Sequence, residues 1–282
     1  MLKQRQRIAS SIRSLPCEFI VAVKKATLAS SCSQSVYLGL FIMQLTSLAP
    51  TLTLFTPNAD VGEITKQWFS PEHWLAQDKV YAQKTGRATA YFFAQDDLRA
   101  VLRHYWRGGL VGKVLQDQYL YTGIKDTRVY REFALMCDLY QQGLPVVEPI
   151  AALVKRSGLI YRGDIITRAL EGAQSLCERL QAGPLNEHTL KRIGQTLARF
   201  HKAGVYHADL NINNILFDGE DEVYVIDFDR GEVRQPDEQW QQQNMARLAR
   251  SFAKEAGRQS TFHWQEKDWL CLMAAYQQAL TY

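Results

Sequence analysis

Apolar positions in the second half of the chain recur first at helical and then at strand spacing. Leu190, Ile193, Leu197 and Phe200 fall three and four residues apart and mark one face of a helix. Asn186 is a suitable N-cap, Glu187 suits the first turn, and Gly204 stops the helix as a C′ residue. The period then changes. Ile215-Leu216-Phe217 and Val223-Tyr224-Val225-Ile226 are short apolar runs rich in β-branched and aromatic residues. Asp218-Gly219-Glu220-Asp221 between them is turn chemistry, which predicts an antiparallel hairpin. Two later helices are expected over 240–255, with Met245, Leu248 and Phe252 inside, and over 269–280, with Leu272, Met273 and Tyr276 inside.

The first half reads as β-rich from about Thr65. Residues 100–105 form a strand on which Val101, Arg103 and Tyr105 share one face. A helix follows over 127–142, ended by Gly143, with Val129, Phe133, Met136 and Tyr140 as its core face and Glu132 beside it. Residues 159–161 and 164–167 are expected as the last strands of this part, with 168–172 as a hinge. The fold class is therefore α+β.

The hairpin carries the chemistry. His207-Ala208-Asp209 precedes it, Asn214 enters its first strand, and Asp227 leaves its second. Antiparallel pairing puts Asn214 and Asp227 at the same end. An amide and a carboxylate side by side are hard oxygen ligands suited to Mg²⁺. Asp209 lies five residues before Asn214 and can reach a substrate hydroxyl. This is the H-x-D-x-x-x-x-N loop and metal-binding aspartate of kinases built on the protein-kinase plan, which move the γ-phosphoryl group of ATP. His207 is a structural loop residue on this reading. The phosphates need a cation on the 100–105 strand. Arg103 is the candidate by position, with Glu132 as its partner and Lys113 as the competing cation. Gly86, in a loop before an aromatic strand, is the candidate for closing over the phosphates through backbone N–H groups.

Composition narrows the setting. With 46% hydrophobic and 22% charged residues the chain is globular. Its five cysteines are scattered without a CxxC pair, so neither a zinc site nor a disulfide framework is indicated, and a reducing compartment is the simplest. The net charge of +4 sits in residues 1–42, which hold six basic residues and one acid. The remainder is near neutral, and no nucleic-acid partner is expected. Residues 26–59 carry no charge, but their most apolar part, 36–45, is far shorter than the roughly 20 residues of a membrane-spanning helix. A signal peptide would export a kinase away from ATP. Residues 1–42 are expected to be an extension ahead of a true start at Met43, with an interfacial membrane contact as the alternative.

The motifs are specific enough to name a family. Leu102-Arg103-His104-Tyr105, Arg107-Gly108-Gly109-Leu110, Tyr206 to Asn211, Asn214-Ile215-Leu216 and Ile226-Asp227-Phe228-Asp229-Arg230-Gly231 resemble the 3-deoxy-D-manno-octulosonic acid (Kdo) kinases, relatives of the lipopolysaccharide core heptose kinases. The resemblance runs from roughly Leu54 to the C-terminus and implies a two-lobed protein-kinase-like fold. The N-lobe would span 43–170 and the helical C-lobe 171–282. It implies ATP and Mg²⁺ as cofactors. The implied acceptor is Kdo on Kdo-lipid IVA, phosphorylated on its 4-hydroxyl at the cytoplasmic face of the bacterial inner membrane by a peripheral enzyme. Arg107, Lys125, Arg128 and Arg131 are then candidate contacts for the acceptor's anionic groups. Two departures stand out. Asn211 replaces the lysine usual two residues after the loop aspartate, leaving Arg103, Lys113 or Arg230 to neutralise charge. Asp229 replaces the glycine of Asp-Phe-Gly. The rival readings are a kinase of another acceptor, such as a core heptose or a small alcohol, and a nucleotide-binding pseudokinase.

Overall fold

The computed structural model describes residues 43–57, 62–85, 89–106 and 117–281. The expectations for residues 1–42, Gly86, Arg107 and Lys113 lie outside them. Among the described residues, eight strands make one antiparallel sheet: β1 (Gln44–Ala49), β2 (Leu52–Thr56), β3 (Val80–Thr85), β4 (Thr89–Gln95), β5 (Leu98–His104), β6 (Tyr119–Leu120), β7 (Pro149–Ser157) and β8 (Ile160–Arg168). Their order is β1-β2-β7-β8-β5-β4-β3, with β6 also on β8.

The sheet starts at Gln44 rather than near Thr65. Pro50 and Thr51 make the turn between β1 and β2. A second correction concerns 159–167, which is one strand, β8, and not two. Gly163 does not break it. A Cβ there would lie 2.1 Å from Val129 Cγ2, so the missing side chain lets the helix that starts at Arg128 approach the sheet. Its partner β7 escapes detection by periodicity because Ile150 to Val154 is buried on both faces and does not alternate.

Helix α1 (Pro71–Ala76) covers the outer face of the sheet, where Trp74 stacks on Phe93 at 4.1 Å between ring centroids. Helix α2 (Arg128–Gln141) covers the inner face. Thr127 caps it by accepting from the Tyr130 N–H. Val129, Phe133 and Met136 are buried as expected, but Tyr140 is exposed. The buried sector turns instead through Glu132, Leu135 and Leu139, and Leu135 meets Gly231 of the loop after Asp227.

The helical part begins with β9 (Gln174–Ser175) and α3 (Leu176–Ala182). Helix α4 (Glu187–Lys202) has the expected Asn186 cap, whose side chain accepts from Thr189 N–H at 2.8 Å. Short strands β10 (Val205–Tyr206), β11 (Ile215–Phe217), β12 (Val223–Val225) and β13 (Glu232–Val233) carry the loops. Helices α5 (Glu238–Ala256) and α6 (Glu266–Thr281) complete the chain. Among the described residues, no helix is long and apolar enough to cross a membrane.

Helices α4 and α6 touch where Gly194 faces the backbone of α6. A Cβ on Gly194 would come within 2.3 Å of the Leu272 carbonyl oxygen and 2.9 Å of the Tyr276 nitrogen. Neither atom can swing aside. Gly194→Ala should therefore lower the melting temperature by several degrees, because an overpacking cost of about 1–3 kcal/mol outweighs the helix propensity gained. A melt equal to or above wild type would mean that the two helices do not pack this closely.

Candidate active site

The hairpin of β11 and β12 pairs Ile215 with Val225. Just beyond that pair, Ile226 N–H donates to the Asn214 carbonyl at 3.0 Å. Asn214 and Asp227 thus leave the same end of the hairpin, as the sequence predicts. The preceding loop is closed on itself. The side-chain amides of Asn211 and Asn214 both donate to the Asp209 carbonyl at 2.9 Å, and Asn211 Oδ1 accepts from Asn213 N–H at 2.9 Å. Asn211 therefore does structural work that a lysine could not do, since lysine has no acceptor. The Asp209 side chain is half-exposed and makes none of these bonds.

His207 is buried. It accepts from Asp209 N–H at Nδ1 (3.1 Å), so the proton sits on Nε2, which donates to the Ile226 carbonyl (3.0 Å). Burial pushes its pKa down and keeps the ring neutral. His207 thus ties the Asp209 loop to the strand that delivers Asp227, which is a structural role. Phe228, fully buried against Phe200 and His207, anchors the other side. The backbone at Asp227 is left-handed, with φ of 65°.

Arg103 leaves the inner face of the sheet and binds two carboxylates. One is Glu132 of α2; the other is Asp227, at 2.7 Å from Nη1. The Tyr105 hydroxyl donates to the second oxygen of Glu132, whose side chain is wholly buried. Burial raises the Glu132 pKa, with Arg103 and Tyr105 working against that shift. Burial also opposes ionisation of Asp227, but the charge and hydrogen bond of Arg103 overcome it and hold this carboxyl below the usual range. Asp227, Arg103 and Glu132 therefore form one chain from the loop after β12 to α2.

A second link runs parallel to it. Arg128, at the start of α2, pairs with Asp229, with Nε 2.8 Å from Oδ1. This explains a carboxylate where Asp-Phe-Gly has glycine, and it commits Arg128 to the fold more than to an acceptor. Arg131 is paired with Asp126 at 2.8 Å.

The donor set suits a hard divalent ion. Asn214 turns its amide nitrogen to the Asp209 carbonyl and so keeps Oδ1 available, and Asp227 keeps Oδ2. Two such oxygens match Mg²⁺, which takes one or two protein ligands and fills the remainder with phosphate and water.

One contribution is not foreseen from the motifs. Helix α5 holds the loop from behind. Asn244 Oδ1 accepts from His207 N–H at 3.1 Å, and Ser251 Oγ accepts from Ile212 N–H at 3.2 Å. Between them Arg247 points at Asp209, with Nη1 3.9 Å from Oδ1. The only signal in sequence is a polar stripe, Asn244, Arg247 and Ser251, three and four residues apart beside the buried Leu248.

Comparison with known proteins places the chain in a family. The model of the Lipopolysaccharide kinase (Kdo/WaaP) family matches residues 71–276. A 3-deoxy-D-manno-octulosonic acid kinase of Vibrio parahaemolyticus is 43% identical over 207 residues, covering 73% of this chain and 86% of the relative. One from Stenotrophomonas maltophilia is 44% identical over 212 residues, covering 75% and 84%. One from Photobacterium profundum is 39% identical over 223 residues, covering 79% and 93%. The chain belongs to the lipopolysaccharide kinase (Kdo/WaaP) family.

Proposed function

We propose that this protein transfers the γ-phosphoryl group of ATP to the 4-hydroxyl of Kdo on Kdo-lipid IVA, working as a peripheral enzyme at the cytoplasmic face of the inner membrane. The observation that carries the reading is the chain Glu132–Arg103–Asp227 ending beside Asn214 and Asp209. The shared name of the relatives gives the sugar class. Asp209 orients the acceptor hydroxyl and accepts its proton as the oxygen bonds to phosphorus and the bond to ADP breaks. Its exposed carboxylate on a rigid loop suits that task. Asn214 and Asp227 would hold Mg²⁺, which when bound neutralises charge on the donor phosphates. Arg103 steadies the same phosphates while Glu132 fixes its direction. Rate then comes from positioning and charge neutralisation.

The test incubates the full chain with ATP, Mg²⁺ and Kdo-lipid IVA, with Asp209→Asn as control. One added phosphate on Kdo, found by mass spectrometry with wild type only, is the expected result. Transfer to a core heptose instead would replace the acceptor. ATP binding without transfer to any sugar would favour a pseudokinase.

A further inference from the structure

The loop lysine that ordinarily sits two residues after the aspartate is absent, and Asn211 is occupied in closing the loop. Of the cations considered from sequence, Lys113 lies outside the described residues, and Arg103 and Arg230 do not replace it. Arg103 already holds Glu132 and Asp227. Arg230 is 70% exposed and lies against Asp229 at 3.9 Å. Arg247 differs from both. It stands on α5 between the two side chains that hold the loop's backbone, so its origin is fixed relative to Asp209. Its contact with Asp209 is loose, at 3.9 Å, and its side chain is 42% exposed. No other carboxylate among the described residues pairs with it. Its N–H groups therefore remain available beside the carboxylate. An acceptor hydroxyl must lie within about 3 Å of that carboxylate, and the phosphorus a similar distance further on.

We infer that Arg247 is a catalytic residue, supplying from α5 the positive charge that neutralises the phosphoryl group as it passes to the acceptor. The inference rests on the kinase reading above. Arg247 forms and breaks no bond. The proton goes to Asp209, and the electron pair of the broken bond goes to ADP. The charge it contributes is needed most while phosphorus is between the two oxygens, so its loss belongs in kcat.

The experiment uses the full chain with ATP, Mg²⁺ and Kdo-lipid IVA. Arg247→Ala should lower kcat by about 10²–10³-fold, with the KM for ATP and for acceptor within about threefold of wild type. Arg247→Lys should recover part of the rate. Millimolar guanidinium should raise turnover of Arg247→Ala and leave Asp209→Asn inactive. A purely structural arginine would lower the melting temperature and gain nothing from guanidinium; that result overturns the inference. So does an unchanged kcat, or a loss confined to the acceptor KM, which would make Arg247 an anchor for an acceptor anion. Wild type without turnover would instead sink the kinase reading beneath it.

Discussion

Asp209→Asn should abolish measurable transfer, with kcat falling by about 10³-fold or more, while ATP binding and the melting temperature stay near wild type. The argument turns on which atoms of Asp209 the fold uses. Its carbonyl receives two amide bonds, and its N–H is held by His207. All of these are backbone bonds, and asparagine keeps every one. Among the described residues, the carboxylate has only the loose contact with Arg247, on a half-exposed side chain. Its removal should therefore cost within about 0.5 kcal/mol of stability, as surface substitutions do. The proton acceptor is lost, however, and an amide cannot take its place. Calorimetric ATP titration and a thermal melt, run beside the transfer assay, separate the two effects. A variant that loses ATP binding together with turnover would mean that Asp209 supports the nucleotide site and not the hydroxyl.

Much of this site is legible in sequence because its parts are close along the chain. Asp209, Asn214 and Asp227 lie on one loop and one hairpin, so spacing and the strand period suffice to bring them together. Helix α4 is equally legible, since its cap, apolar stripe and terminal glycine agree with one another. Arg103 and Glu132 are named by their places on a strand and a helix, but their contact depends on how closely α2 approaches the sheet. Gly163 governs that approach, and in sequence it reads as a break between strands. The β1–β2 hairpin is hidden for a different reason. It continues an uncharged segment, in which no charged position marks where its two strands begin and end. Arg247 is hidden because its one local mark, the polar stripe it shares with Asn244 and Ser251, does not say what it faces. Its meaning comes from packing α5 behind a loop that precedes it by about forty residues.

Arg103→Ala is the second large effect, and it should damage stability and nucleotide binding together. Glu132 has no exposed side-chain surface. With arginine removed, the Tyr105 hydroxyl is the one partner left to it among the described residues. Stranding a buried charge typically costs about 3–5 kcal/mol, or roughly 10 °C in melting temperature for a body of this size. Asp227 loses the partner that holds its carboxyl ionised, so ATP affinity should fall as well. Arg103→Lys should recover part of the affinity, because an ammonium can meet one carboxylate but lacks the fork that reaches both. The decisive comparison is Arg103→Ala with Arg103→Ala/Glu132→Gln. Removing the stranded charge should restore a substantial part of the lost stability without restoring ATP binding. If the double variant is no more stable than the single, Glu132 is not held by Arg103 in solution. The link from Asp227 to α2 would then run through Asp229 and Arg128 alone.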